Sequence, residues 1–198
     1  MTFASDFENL TGNPPFPWQE ALYRRFVGID PGGIPSSCNL PTGLGKTSVV
    51  AVWLIAFANG ASVPRRLIYV VNRRTVVDQT TVEVERYCQA IDSSPKLADF
   101  KSRIDALRIS TLRGQFADNG DWCEDPSKPA VICGTVDMIG SRLLFSGYGI
   151  GRNKRPLHAG FLGQDVLLIH DEAHLEPAFQ KLIESIEVQQ RDSEPVTG

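Results

Sequence analysis

The chain has 198 residues, 42% of them apolar and 22% charged, with a formal net charge of −3. Those values suit a soluble globular domain with a real core and exclude a fibrous or low-complexity chain. The slightly acidic balance argues against a protein that coats nucleic acid indiscriminately, while leaving room for a local basic groove. Four scattered cysteines (Cys38, Cys88, Cys123, Cys133) form no Cys-x-x-Cys pair, which fits a reduced, cytosolic compartment better than a disulfide or zinc scaffold. The N-terminus is not a signal peptide, and no apolar run approaches membrane-spanning length.

Residues 1–15 are polar with scattered aromatics and end in Asn13-Pro14-Pro15, which reads as an arm without regular structure ahead of a domain over 16–198. Pro17 suits a helix start, and Leu22, Tyr23 and Phe26 share one helical face. Asp30-Pro31-Gly32-Gly33 breaks that unit. An apolar lead-in from Ile34 to Leu40, read as a strand, runs into Leu40-Pro41-Thr42-Gly43-Leu44-Gly45-Lys46-Thr47-Ser48, and the run to Phe57 leaves it as a helix. A strand, a glycine-rich turn, Gly-Lys-Thr and a helix in that order make a phosphate cradle. Gly43 and Gly45 let backbone N–H groups point inward, and the helix adds its positive dipole end. Lys46 would reach the β- and γ-phosphates, and the Thr47 hydroxyl would ligate Mg²⁺. Leu40 stands where the full pattern has its first glycine.

Leu67-Ile68-Tyr69-Val70-Val71 is a continuous run typical of a strand buried on both faces, followed by Arg73 and Arg74. A helix is expected from Thr75 to Tyr87, while the polar residues 92–103 show no clear pattern. Strands follow at Leu107–Leu112 and Ala130–Gly134, separated by an acidic stretch over 117–129 that reads as an exposed loop. A helix starts at Val136. Residues 146–163 are glycine-rich and basic, and the segment Tyr148 to Arg155 could touch a strand backbone. A strand Val166–His170 and a helix from Glu176 to about Gln190 close the chain. Apolar strands alternating with helices predict an α/β domain whose mainly parallel sheet is covered by helices on both faces.

After the last strand comes Asp171-Glu172-Ala173-His174. A carboxylate at the tip of a buried parallel strand, downstream of a phosphate cradle, is placed to hold Mg²⁺, and a neighbouring glutamate is placed to orient an attacking water. Taken alone, the same residues would also serve as a capped helix start. His158 and His170 carry no ligand pattern.

In their order and spacing, Gln19, the cradle and Asp171-Glu172-Ala173-His174 resemble superfamily 2 helicases of the DEAH-box type. Between them Asn72-Arg73-Arg74-Thr75 with Asp78-Gln79, Thr111-Leu112-Arg113-Gly114 and Gly134-Thr135-Val136-Asp137 look like that superfamily's strand-end motifs. Their wording, with His170 before Asp171, most resembles the CRISPR-associated helicase of type I systems, over Phe16 to Gln190. The resemblance implies a P-loop RecA-like domain, incomplete at its C-terminus, that uses ATP and Mg²⁺. It implies that Gln19 recognises adenine and that Thr42, Gly43, Leu44, Gly45, Lys46, Thr47 and Ser48 bind the nucleotide. Thr47 and Asp171 would hold the metal, with Lys46, Asp171, Glu172 and His174 as the catalytic set and His174 coupling nucleotide to DNA. Arg73, Arg74, Thr75, Arg113, Gly114 and Thr135 would line a path for single-stranded DNA, contacting phosphates more than bases.

The implied partners are single-stranded DNA, a CRISPR surveillance complex of the Cascade type, and a second RecA-like domain in a longer chain; a membrane is not among them. No nuclease is expected ahead of the helicase motifs, so the resemblance points to a helicase-first arrangement (subtype I-U) or a separate nuclease. The 198 residues alone are expected to bind Mg·ATP weakly and turn it over slowly. A motor of a restriction or repair complex, or a non-catalytic nucleotide- or DNA-binding module, remains open on the same motifs.

Overall fold

Four short runs of β-branched and aliphatic residues set the architecture: β1 (Arg66–Val71), β2 (Arg108–Leu112), β3 (Ala130–Thr135) and β4 (Val166–His170). In the computed structural model, which describes residues 2–41, 43–104, 107–112 and 121–193, they pair in the order β2-β3-β1-β4, all parallel. β1 and β3 lie at the centre and are buried at every residue, as continuous apolar runs require.

Side-chain alternation along β1 sends Leu67, Tyr69 and Val71 to one core and Ile68 and Val70 to the other. The first core is closed by α1 (Phe3–Thr11), α2 (Pro17–Phe26), α3 (Val49–Ala58), α4 (Arg74–Ser93) and α5 (Ala98–Ile104). The second is closed by α6 (Val136–Leu143), α7 (Arg155–Gly163) and α8 (Pro177–Ser193). Helices therefore cover both faces of a parallel sheet, as the alternation of elements predicts. α3 is apolar all round and almost wholly buried, the pattern of a helix enclosed by its neighbours.

Several local expectations are corrected. Residues 3–11 are not an unstructured arm. They form α1, capped by the Thr2 hydroxyl and closed by Gly12 in the left-handed region, and they bury Phe7 and Leu10. The lead-in Ile34–Leu40 is not a strand: it pairs with no strand among the described residues, Pro35 has no N–H to give, and Cys38 is exposed. The unplaced stretch after α4 holds a 3₁₀ turn (Pro95–Leu97) and α5. In the acidic stretch, Trp122 turns inward to full burial in the second core. The basic stretch becomes a 3₁₀ turn (Arg152–Lys154) and α7, which has Pro156 in its first turn and buries Phe161 and Leu162. No described helix is long and apolar enough to cross a membrane.

The register decides where chemistry can gather. Leu112 pairs with Gly134, Val71 with Thr135 and Val70 with His170. The carboxyl ends of all four strands therefore reach one edge of the sheet, where open parallel sheets bind ligands.

Candidate nucleotide-binding site

The cradle lies at that edge. Gly43 and Gly45 have φ of 88° and 65°, a backbone that side chains rarely adopt. The turn tightens into a 3₁₀ segment, Lys46–Ser48, before α3 begins at Val49, one residue later than a helix starting at Ser48. Thr42 lies outside the described residues.

The start of α2 grips this loop from the side. The indole N–H of Trp18 donates to the Leu44 carbonyl at 3.0 Å. Gln19 is buried, and both ends of its amide are engaged: Oε1 accepts from the Phe16 N–H at 2.6 Å, and Nε2 donates to the Ser48 hydroxyl at 2.5 Å. Ser48 in turn donates to the Gly45 carbonyl at 2.6 Å. Gln19 therefore braces the cradle; an adenine edge would meet only the amide hydrogen and lone pairs these bonds leave over.

On the opposite side, Asp171 continues β4 by donating its N–H to the Val70 carbonyl at 2.9 Å. Its carboxylate divides its two oxygens. Oδ1 lies 4.0 Å from Lys46 Nζ, while Oδ2 accepts from the Tyr69 hydroxyl at 2.9 Å. Burial foremost, and then the Asp171 charge, hold the Tyr69 phenol far above its ordinary titration range, so it stays protonated as a donor. The next residue, Glu172, is exposed and sits in the left-handed region at φ 53°, uncommon for a residue with a side chain. Its carbonyl accepts from the Leu175 N–H at 2.9 Å, closing a 3₁₀ turn that carries an exposed His174.

The structure thus brings together Gln19, Leu44, Gly45, Ser48, Lys46, Thr47 and Asp171 in one connected set. Glu172 and His174 follow directly along the same edge. Arg73, Arg74 and Thr75 are exposed where β1 hands over to α4, whereas Thr135 is buried where β3 hands over to α6. Arg113 and Gly114 lie outside the described residues. β4 itself is half-buried along its length rather than buried, because it pairs only with β1 among the described residues.

A hydroxyl and a carboxylate, both hard oxygen donors, suit Mg²⁺ in company with phosphates. Lys46 facing that carboxylate marks where positive charge is favoured. The residues present therefore fit Mg·ATP: Thr47 and Asp171 would hold the metal, which when bound neutralises charge on the phosphates.

The family comparison agrees with this geometry. Residues 14–191 match the family model described as type III restriction enzyme, res subunit. The chain belongs to that family. It is accordingly a RecA-like domain of the superfamily 2 helicases, and its family implies an ATP-dependent nucleic-acid motor using ATP with Mg²⁺. No curated protein and no solved structure matches the chain.

Two residues of this res-family site escaped the sequence reading. Trp18 stands beside Gln19, and an indole at a helix start carries no motif of its own. Tyr69 is the better clue: in an otherwise aliphatic buried strand, one polar-tipped ring needs a partner for its hydroxyl.

Proposed function

We propose that this chain is the ATP-binding half of a motor that hydrolyses Mg·ATP to move along single-stranded DNA. The observation that carries it is Asp171 meeting Lys46 on one oxygen, at the carboxyl edge of the sheet beside a glycine turn. In this reading Lys46 binds phosphate, Thr47 and Asp171 hold the metal, and Glu172 takes the proton of a water. Gln19 meets the base through the remaining capacity of its amide, and His174 links the nucleotide to the strand. Arg73, Arg74, Thr75, Arg113, Gly114 and Thr135 form the DNA path, and a second RecA-like domain completes the cleft. The domain takes in α1 together with 16–198, in a cytoplasmic setting.

The wording of the motifs, above all His170-Asp171-Glu172-Ala173-His174, supports a place in CRISPR interference beside a Cascade-type surveillance complex. The family match supports a second setting, the motor of a restriction complex. A metal-dependent HD nuclease encoded alongside would favour the first, and a restriction-type nuclease the second.

The test is binding of a fluorescent ATP analogue and of single-stranded DNA. Mg²⁺-dependent analogue binding should weaken about 100-fold in Lys46→Ala, as loss of one preorganised charge contact implies. DNA binding should fall steeply with salt and drop in Arg73→Ala. Analogue binding indifferent to Lys46 overturns the nucleotide reading; DNA binding that is absent or insensitive to salt overturns the motor.

A further inference from the structure

We propose that Tyr69 is a positioning residue for the metal end of this site, its hydroxyl holding Asp171 so that this oxygen donor is set in place before Mg²⁺ arrives. The inference rests on the nucleotide reading above and deepens it. Tyr69 is 1% exposed, and its ring lies in the first core with Leu67, Val71, Val131 and Cys133, where phenylalanine would pack equally well. The hydroxyl is therefore not required by packing. It is spent on Asp171 Oδ2 at 2.9 Å, two residues beyond Ile169, the β4 partner of Tyr69 in the register.

The bond is selective for one oxygen. With Oδ2 held from the core side, the rotation of the carboxylate is fixed and Oδ1 is turned toward Lys46 on the cradle side. One buried group on β1 thus holds the tip of β4 against the cradle lysine, which nothing in the separate motifs would do. Partners behind metal ligands of this kind orient them and tune affinity by about 10- to 100-fold.

The experiment titrates Mg²⁺ into the 198-residue chain with a fluorescent ATP analogue, with EDTA as the metal-free arm. Tyr69→Phe should leave metal-free binding unchanged and raise the Mg²⁺ needed for half-maximal tightening about 10-fold. Asp171→Asn should abolish the Mg²⁺ dependence, and Tyr69→Phe should add nothing in that background. Val71→Ala, on the same face of β1, serves as the packing control: it should lower the melting temperature without moving the Mg²⁺ midpoint. An unchanged midpoint in Tyr69→Phe, an equal loss with and without Mg²⁺, or a matching shift in Val71→Ala overturns the inference while the nucleotide reading stands. Failure of the wild-type chain to bind the analogue, or binding indifferent to Lys46→Ala, overturns both.

Discussion

Asp6 illustrates how a single charge can sit against its surroundings. It lies in the first turn of α1, and its Oδ1 is buried without a hydrogen-bond partner. Around it is an apolar cavity walled by Leu10, Leu54, Ile55, Leu97 and Phe100, well away from the cradle. Burial raises its pKa above the ordinary 3.8. The folded state therefore binds the proton more tightly than the unfolded chain. The stabilising contribution of the protonated form is complete below 3.8 and is lost as pH rises through the raised value. Asp6→Leu should stabilise the protein at pH 7 by about 1 kcal/mol, the cost of an unpaired buried polar group less the favourable helix-dipole term. Thermal denaturation across pH checks it: the advantage of the variant should shrink as pH falls toward 3.8, and a constant gap would mean the carboxylate is solvated. Nothing in the sequence distinguishes Asp6 from an ordinary acidic residue near a helix start. By contrast Lys46, Thr47 and Asp171 were legible because their chemistry depends on local spacing. Tyr69 was not, because its partner lies 102 residues away and only the β1–β4 register brings the two together.

At the scale of elements, the two edges of the sheet divide the work. The carboxyl edge holds the site, and the amino edge is fastened by Arg66, the first residue of β1. Its guanidinium donates to the Pro126 carbonyl at 3.1 Å and the Gln164 carbonyl at 2.7 Å, and lies 5.2 Å from the centre of the Phe161 ring. It thus ties the approach to β3 and the turn before β4 to the central strand. Bonds from a charged donor contribute about 1.5–3 kcal/mol each, so Arg66→Ala should cost about 3 kcal/mol in urea denaturation. ATP-analogue affinity should be unchanged, since Arg66 is at the far end of β1 from Asp171; a loss of both together would mean the edges are coupled. Strand positions were read well because each is a short unbroken apolar run between turn residues. Elements failed where the signal was spread out. In α1 the pattern rests on a Thr2 cap and on Phe7 and Leu10 alone, and in the acidic stretch one buried Trp122 is outweighed by its charged neighbours. Ile34–Leu40 erred the other way, since an apolar run becomes a strand only where another strand is free to pair with it.

For the whole molecule, the sheet is strongly asymmetric across its width. β1 and β3 are buried throughout, while every residue of β4 is half-buried and its outer side pairs with no strand among the described residues. The parallel ladder fixes which amides face which way. Asp171 donates to the Val70 carbonyl, and Arg66 donates to the Asp165 carbonyl. Alternation then turns the N–H groups of Leu167, Ile169 and Asp171 toward β1 and those of Leu168 and His170 outward. Local opening free energy follows buried contacts and pairing, so hydrogen exchange should vary residue by residue along this one strand. Amides of Ile68, Val70 and Ile132 should exchange most slowly, that of Ile169 at an intermediate rate, and those of Leu168 and His170 fastest. Adding Mg²⁺ and an ATP analogue should slow Asp171 and Ile169, because ligand binding to the folded state stabilises the strand tip that carries the carboxylate. Leu168 and His170, having no partner to gain from the nucleotide, should stay fast. Uniform protection along β4 in the 198-residue chain would mean that its outer edge is paired in solution, and the site would then rest on a wider sheet than these four strands.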